Sequence, residues 1–418
     1  MKKDLHFSAW LLIPLLALAL VLPICGAAGK VQGKINFFCY RDDLMNSWYP
    51  GVIKEFNKIY PDIKVEMSTS KSFQNDIRVK MAANDLPDLV TFNYPDVTDE
   101  QRKAYFLPLN GVFPFIKDWE GNDAYKGSDG RTYALTYGLV ADGLIYNKAI
   151  FKSLGIDPPA TLDALIAAGK KIKASGKIGL VGCSQPVWTY WMYEDLAWTF
   201  MNDKIVTQKK MLTQEAPFTP DNGYVKSMLV LKKITDANIF EDDTVSYAWE
   251  PFRNDFRAGK SGMYYGGVVM CTQLQGPGCK LADMGFTPFP YDNSGGSYRA
   301  MYAPDWGLGI SKNTKNLAAV KLFYAFLMDK KYKDYAGITG VISARKSVTL
   351  DLPFVKEFEA KKPFKVFIGG DAPAFTDFKN KAQIDFQRMY QEIGVGLKTP
   401  QQQIDMLNQK WARTKAGK

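Results

Sequence analysis

Between residues 34 and 92 the sequence switches from strand to helix and back with almost nothing in between. KINFFC (34–39) is an apolar strand candidate, and WYPGVIKEFNKIY (48–60) places Val52, Ile53, Phe56 and Ile59 or Tyr60 at helical spacing. Pro61-Asp62 ends that helix, and IKVEM (63–67) alternates as a second strand. Residues 73–83 read as a second helix, and LPDLVTF (86–92) as a turn running into a third strand. Strands joined by short helical crossovers pair in parallel and need helices over the sheet. The chain is thereby committed to an α/β fold.

The rest of the chain continues the alternation. Residues 131–139 and 144–148 are strand candidates, and FKSLG (151–155) is a brief helix closed by Gly155. Asp157-Pro158-Pro159 is a rigid spacer, after which Thr161 is placed to cap an amphipathic helix from Leu162. Beyond it come a strand at 178–181, an aromatic-rich helix start at 188–202 and a helix at 222–238. Residues 252–267 run helix, small-residue turn, strand and Gly266-Gly267 loop. A strand at 305–311 and a helix at 316–328 follow, and Thr399 caps the last helix. At 418 residues the chain has enough material for two such cores.

Composition narrows the function. With 46% hydrophobic and 23% charged residues the chain is globular, and its 14% aromatics serve either core packing or ring platforms for a ligand. The net charge is +10, spread as pairs such as Lys170-Lys171, Lys209-Lys210 and Lys330-Lys331. Such pairs suit solvated helix faces, or attraction to an anionic surface or ligand, and no nucleic-acid signature accompanies them. Residues 1–28 read as an export signal: Lys2 and Lys3, an apolar run from Leu11 to Ile24, then Gly26-Ala27-Ala28. No later run reaches the roughly 18 apolar residues of a membrane span. Leu22-Pro23-Ile24-Cys25-Gly26 allows lipidation of Cys25, and the small residues allow ordinary cleavage.

Four cysteines follow: Cys39, Cys183, Cys271 and Cys279. In an oxidising compartment Cys271 and Cys279 are expected to pair across the Gly276-Pro277-Gly278 bend, with Cys39 and Cys183 as small buried hydrophobes. The only histidine, His6, falls inside the signal, which removes Ser-His-Asp catalysis and His-ligated metal. A carboxylate-pair glycosidase survives as a distant alternative, on Glu194-Asp195 or Glu241-Asp242-Asp243.

The landmarks YNK, LGI and PPATLDAL in 129–171, with EFNKIYPDIKVE and AANDLPDLV before them, resemble the extracellular solute-binding proteins of ABC importers. The resemblance is to the carbohydrate-binding, maltose-binding-protein-like group and runs over nearly the whole chain after the signal. It implies a two-lobed α/β fold with the ligand between lobes, crossings near 138–143, 285–290 and 329–340, and hinge closure. Lobe one would hold 29–138 and 290–330, and lobe two 139–289 and 331–418. It also implies a monomeric binding protein rather than an enzyme, without cofactor or metal, that delivers a sugar to a membrane permease.

Ligand contacts are expected where strands end at the crevice. Sugars want rings against their C–H faces and acids or amides on their hydroxyls. The candidates are Trp188 and Gln185 after the 178–181 strand, and Asp305 and Trp306 beside a crossing. Gly266 and Gly267 open a loop after Tyr264-Tyr265, one of which faces inward. Arg41 and Asp42 follow the first strand, Asn93 and Tyr94 the third, and Tyr137 and Asp142 flank the first crossing. Arg345 completes the set. Should the solute be anionic, a phosphate ester or acidic oligosaccharide, Arg41 and Arg345 would be its clamps.

Overall fold

The computed structural model describes residues 31–417 except Lys71, Pro186, 296–297 and 368–369, and the side chains of Val187, Trp188 and Phe367. The expected signal at 1–28 and the lipidation candidate Cys25 lie outside the described residues. The strands are β1 (Gly33–Phe38), β2 (Ile63–Ser68), β3 (Leu89–Phe92), β4 (Ala134–Thr136), β5 (Leu139–Asn147) and β6 (Ile178–Val181). They continue as β7 (Ser261–Gly267), β8 (Met284–Thr287), β9 (Arg299–Pro304), β10 (Gly307–Ile310) and β11 (Phe364–Phe367).

The first sheet has the order β2-β1-β3-β10-β4. β1 pairs in parallel with β2 and β3, as the crossover argument requires, while β10 is antiparallel to β3 and β4. The helix Tyr49–Ile59 buries Tyr49, Val52 and Phe56 on this sheet. Phe56 meets Phe323, from a helix after β10, edge-on at 4.9 Å, so an early and a late helix share one face. The second sheet has the order β11-β9-β5-β7-β6, with β8 also on β5.

The chain passes between the sheets at Gly138–Leu139 and again at Pro304–Asp305. Leu139 exchanges two backbone hydrogen bonds with Ile342 (2.8 and 2.9 Å), and Asp305 N–H donates to the Gly138 carbonyl at 2.9 Å. A Cβ on Gly138 would lie 2.4 Å from the Val341 side chain, so these two segments touch. The chain thus passes from the first sheet to the second between β4 and β5, within residues 136–139.

The second crossing is not at 285–290. β8 stays in the second sheet by pairing with β5, and β9 does the same, so the chain leaves only after Pro304. The third also comes later than 329–340. The helix Tyr332–Thr339 packs on lobe one, its Tyr335 ring stacked on Tyr137 at 4.4 Å. The chain reaches lobe two by the helix Pro353–Ala360, where Phe358 stacks on Phe286 of β8 at 4.6 Å.

All four described cysteines are buried free thiols, so Cys271 and Cys279 do not pair. Gly276 and Cys279 close the turn by two backbone hydrogen bonds of 2.8 and 3.1 Å, without a covalent link. Burial pushes the Cys279 thiol up to about 12 and Cys271 well above its ordinary value. Both are thus held from the thiolate that disulfide formation needs.

Candidate functional site

The lobe-one wall is built where β1 ends and β10 begins. Tyr40 and Trp306 stack with ring centres 4.4 Å apart and planes 7° from parallel, and Phe73 meets Trp306 edge-on at 5.6 Å. Trp306 remains half-exposed. A cavity of about 690 Å³ opens beside it, lined among others by Tyr40, Asp42, Phe73, Gln74, Arg78 and Trp306. Asp305 is fixed next to the platform: Tyr40 Oη donates to its carboxylate at 3.2 Å, and Tyr125 and Thr136 hydroxyls donate to its carbonyl at 2.7 and 2.8 Å. Burial raises the Asp305 carboxyl above its usual range.

Lobe two holds its candidates on β5 and β7. β7 sets Tyr264 opposite Ile145 and Tyr265 opposite Leu144, while Asp142 lies opposite Gly267. Alternation therefore puts Tyr265 and Asp142 on one face and Tyr264 on the other. Tyr265 stacks on Phe289 at 3.9 Å and meets Tyr193 edge-on at 5.6 Å. Tyr264 packs against Phe252 at 4.5 Å and is 2% exposed, so it is a core residue and not a contact. Gly266 serves that core, since a Cβ there would sit 2.4 Å from the Tyr264 ring. A Cβ on Gly267 would press on the Val140 side chain at 3.2 Å and touch Asp142 at 3.6 Å.

Asp142 is 3% exposed, and among the described residues neither carboxylate oxygen meets a hydrogen-bond donor. What faces it is another buried acid, Asp195, from the helix Trp191–Thr199. Loss of water drives the Asp142 carboxyl up to about 7 and Asp195 well above the carboxylate range. Asp195 entered the sequence reading only within a hydrolase pair. Its signal is position: it sits on the helix face that buries Met192, Leu196 and Thr199.

The remaining candidates divide. Asn93 and Tyr94 are half-buried at the end of β3. Burial raises the Tyr94 hydroxyl above its ordinary range, and the charges of Asp195 and Asp371 add to the rise. Gln185 is exposed and donates to the Val245 carbonyl at 3.3 Å. Trp188 lies in the short turn Val187–Tyr190, and its side chain is outside the described residues. Tyr137 is 3% exposed beneath Tyr335, a floor residue and not a wall.

The two arginines are not a converging clamp. Arg41 gives both guanidinium arms to Asp43 at 2.7 and 2.5 Å. Arg345 pairs with Asp118 at 2.9 Å and Asp329 at 2.8 Å, its guanidinium 5.5 Å from the Trp119 ring centre. The acidic turn considered for hydrolysis is also engaged: Glu241 accepts the Gly182 and Cys183 N–H groups at 2.8 and 2.7 Å.

The sequence profile of the bacterial extracellular solute-binding proteins matches residues 42–334. The chain belongs to this family. Its members are binding proteins of ABC importers rather than enzymes. The chain is 25% identical over 375 residues to the melibiose/raffinose/stachyose-binding protein MelE of Bacillus subtilis, spanning 83% of each. It is 23% identical over 336 residues to the multiple sugar-binding protein of Streptococcus mutans, covering 76% of this chain and 79% of the relative. Among solved structures it resembles a solute-binding protein of Bifidobacterium animalis in complex with mannobiose. The TM-score is 0.73 at 22% identity, over 93% of this chain and 96% of that one. A Bacillus licheniformis sugar transporter component in complex with stachyose gives 0.68 at 21% identity, over 91% and 100%. These likenesses fix the two-lobed fold.

Proposed function

We propose that this solute-binding protein captures a neutral sugar or oligosaccharide between its lobes and presents it to an ABC permease. The observation that carries the reading is the Tyr40–Trp306 stack beside Asp305, at strand ends and open to a cavity of about 690 Å³. Tyr40 covers one face of the indole, and the exposed part offers an apolar surface to sugar C–H groups. Asp305 and Asp42 stand near it as hydroxyl acceptors. The sugar-binding names of the relatives support the same class. Trp188, Gln185, Asn93 and Tyr94 are assigned to complete the contacts from both lobes, with Gly267 allowing close backbone approach. Closure follows because a solute touching both walls binds the closed state better.

The anionic alternative loses its clamps, since Arg41 and Arg345 are each held by acids of their own surroundings. We assign no catalytic step, a monomeric state, and export by the segment 1–28 with Cys25 as the anchoring site. A thermal-shift screen of mannobiose, stachyose, uronides and phosphate esters tests the reading. A neutral sugar raises the midpoint and is recovered intact, whereas a response to anions alone overturns it. Scattering with saturating sugar shows compaction if closure occurs. Cys25→Ala releases the protein from membranes if that residue anchors it.

A further inference from the structure

Behind the lobe-one platform lies a second tyrosine. Tyr335, on the helix Tyr332–Thr339, is 1% exposed and too deep to touch a solute in the cavity beside Trp306. Its ring is fixed on several sides. It stacks on Tyr137 at 4.4 Å, meets Trp48 edge-on at 5.5 Å, and has the Arg41 guanidinium 5.9 Å from its centre. What the ring extends towards the site is its hydroxyl, 3.3 Å from that of Tyr40.

Counting protons gives this contact a direction. A tyrosine hydroxyl carries one hydrogen to donate and accepts on its oxygen. Tyr40 donates its hydrogen to the Asp305 carboxylate at 3.2 Å. Tyr335 is therefore the donor to Tyr40, and the chain runs from Tyr335 through Tyr40 to a carboxylate. Each bond in such a chain polarises the next, so the inner hydroxyl strengthens the grip of Tyr40 on Asp305. Further tethers of Asp305 hold its main chain. Its N–H donates to the Gly138 carbonyl at 2.9 Å, and its carbonyl accepts from Tyr125 and Thr136. Tyr40 is the side chain that holds the carboxylate itself.

The same chain seats the ring surface. Tyr40 lies flat on Trp306, centres 4.4 Å apart and planes 7° from parallel, so pinning the tip of Tyr40 fixes how the two rings meet. With its hydrogen on Asp305, the Tyr40 hydroxyl has none left to donate to a solute, and Tyr40 serves the site as a ring.

We infer that Tyr335 is a positioning residue of the solute site. Its hydroxyl acts through Tyr40 to aim the Asp305 carboxylate and to hold the Tyr40 ring on Trp306, without a contact of its own to the solute. The inference rests on the sugar reading proposed above. It also joins the site to the crossing, because the chain after this helix runs through Gly340 into Val341 and Ile342, which meet Gly138 and Leu139.

Tyr335→Phe keeps the ring and its packing and removes the hydroxyl alone. Calorimetry with mannobiose and stachyose on the native protein, Tyr335→Phe, Tyr40→Phe and the double variant closes a cycle, and melting curves establish that each variant is folded during titration. Tyr335→Phe weakens binding by about 3- to 10-fold, the size of one polar contact. In the Tyr40→Phe background the same change alters affinity by less than about twofold, because the link to Asp305 is already gone. A general loosening of the fold gives a different pattern, an equal loss in both backgrounds. Unchanged affinity in Tyr335→Phe, or that equal loss, overturns the inference and leaves the sugar reading standing. A native protein that responds to no neutral sugar overturns the sugar reading, and the inference falls with it.

Discussion

On the lobe-one wall the acid nearest the platform is met by donors. Tyr40 reaches the Asp305 carboxylate, and two further hydroxyls hold its backbone. In lobe two the buried acid Asp142 meets no hydrogen-bond donor among the described residues and lies beside another acid. One wall is finished before a solute arrives, while lobe two carries a charge that some partner or proton must settle. The contrast teaches that similar α/β scaffolds divide the labour, one presenting a fixed ring surface and the other a responsive polar one.

The largest expected effect lies in lobe two. Asp142 has a folded pKa of about 7 against an ordinary value of 3.8. Its contribution to stability is therefore complete below about pH 4 and lost as pH rises through about 7. Melting curves from pH 4 to 8 fall in the native protein and flatten in Asp142→Asn. A native curve that rises over that range breaks the comparison.

Next comes the fixed wall. Trp306→Ala weakens solute binding by about 10- to 100-fold, roughly 1–3 kcal/mol, with a smaller change in melting temperature. Calorimetry beside a melting curve decides it. Unchanged affinity with a large stability loss would reassign the ring to packing. Arg345→Gln sharpens the contrast from outside the cleft. It breaks the pairs to Asp118 and Asp329 and costs about 1–2 kcal/mol of stability, leaving solute affinity within twofold. The smallest effect is that of reductant: with Cys271 and Cys279 as free thiols, dithiothreitol leaves the melting midpoint unmoved.

Local signals carried much of this architecture. The β1-β2-β3 parallel unit follows from helix period, strand alternation and short loops, because each is written in neighbouring residues. Trp306 and Asp305 could be proposed from sequence because a strand end beside a crossing is a position, not a contact. Arg345 was misjudged because its acid Asp118 lies 227 residues away, and nothing local marks a guanidinium as already taken. The second crossing was misplaced for a similar reason. β8 and β9 are both short strands, and only their shared partner β5 shows that the chain has not yet left the sheet. Tyr264 and Tyr265 stayed undivided until Phe252 and Phe289 chose between them.

Gly138, Val341 and the mutual hydrogen bonds of Leu139 with Ile342 bind separate stretches of chain into one ribbon between the lobes. A lone linker would let the lobes twist, slide and swing. A laced ribbon suppresses the first two, because sliding one stretch past another would break the bonds at Leu139 and drive Val341 into Gly138. If the lobes close as proposed, a swing about this ribbon is the motion that keeps its bonds intact. Solutes of different length would then be registered as different angles on that one arc, and the permease would meet a family of shapes ordered along a single coordinate.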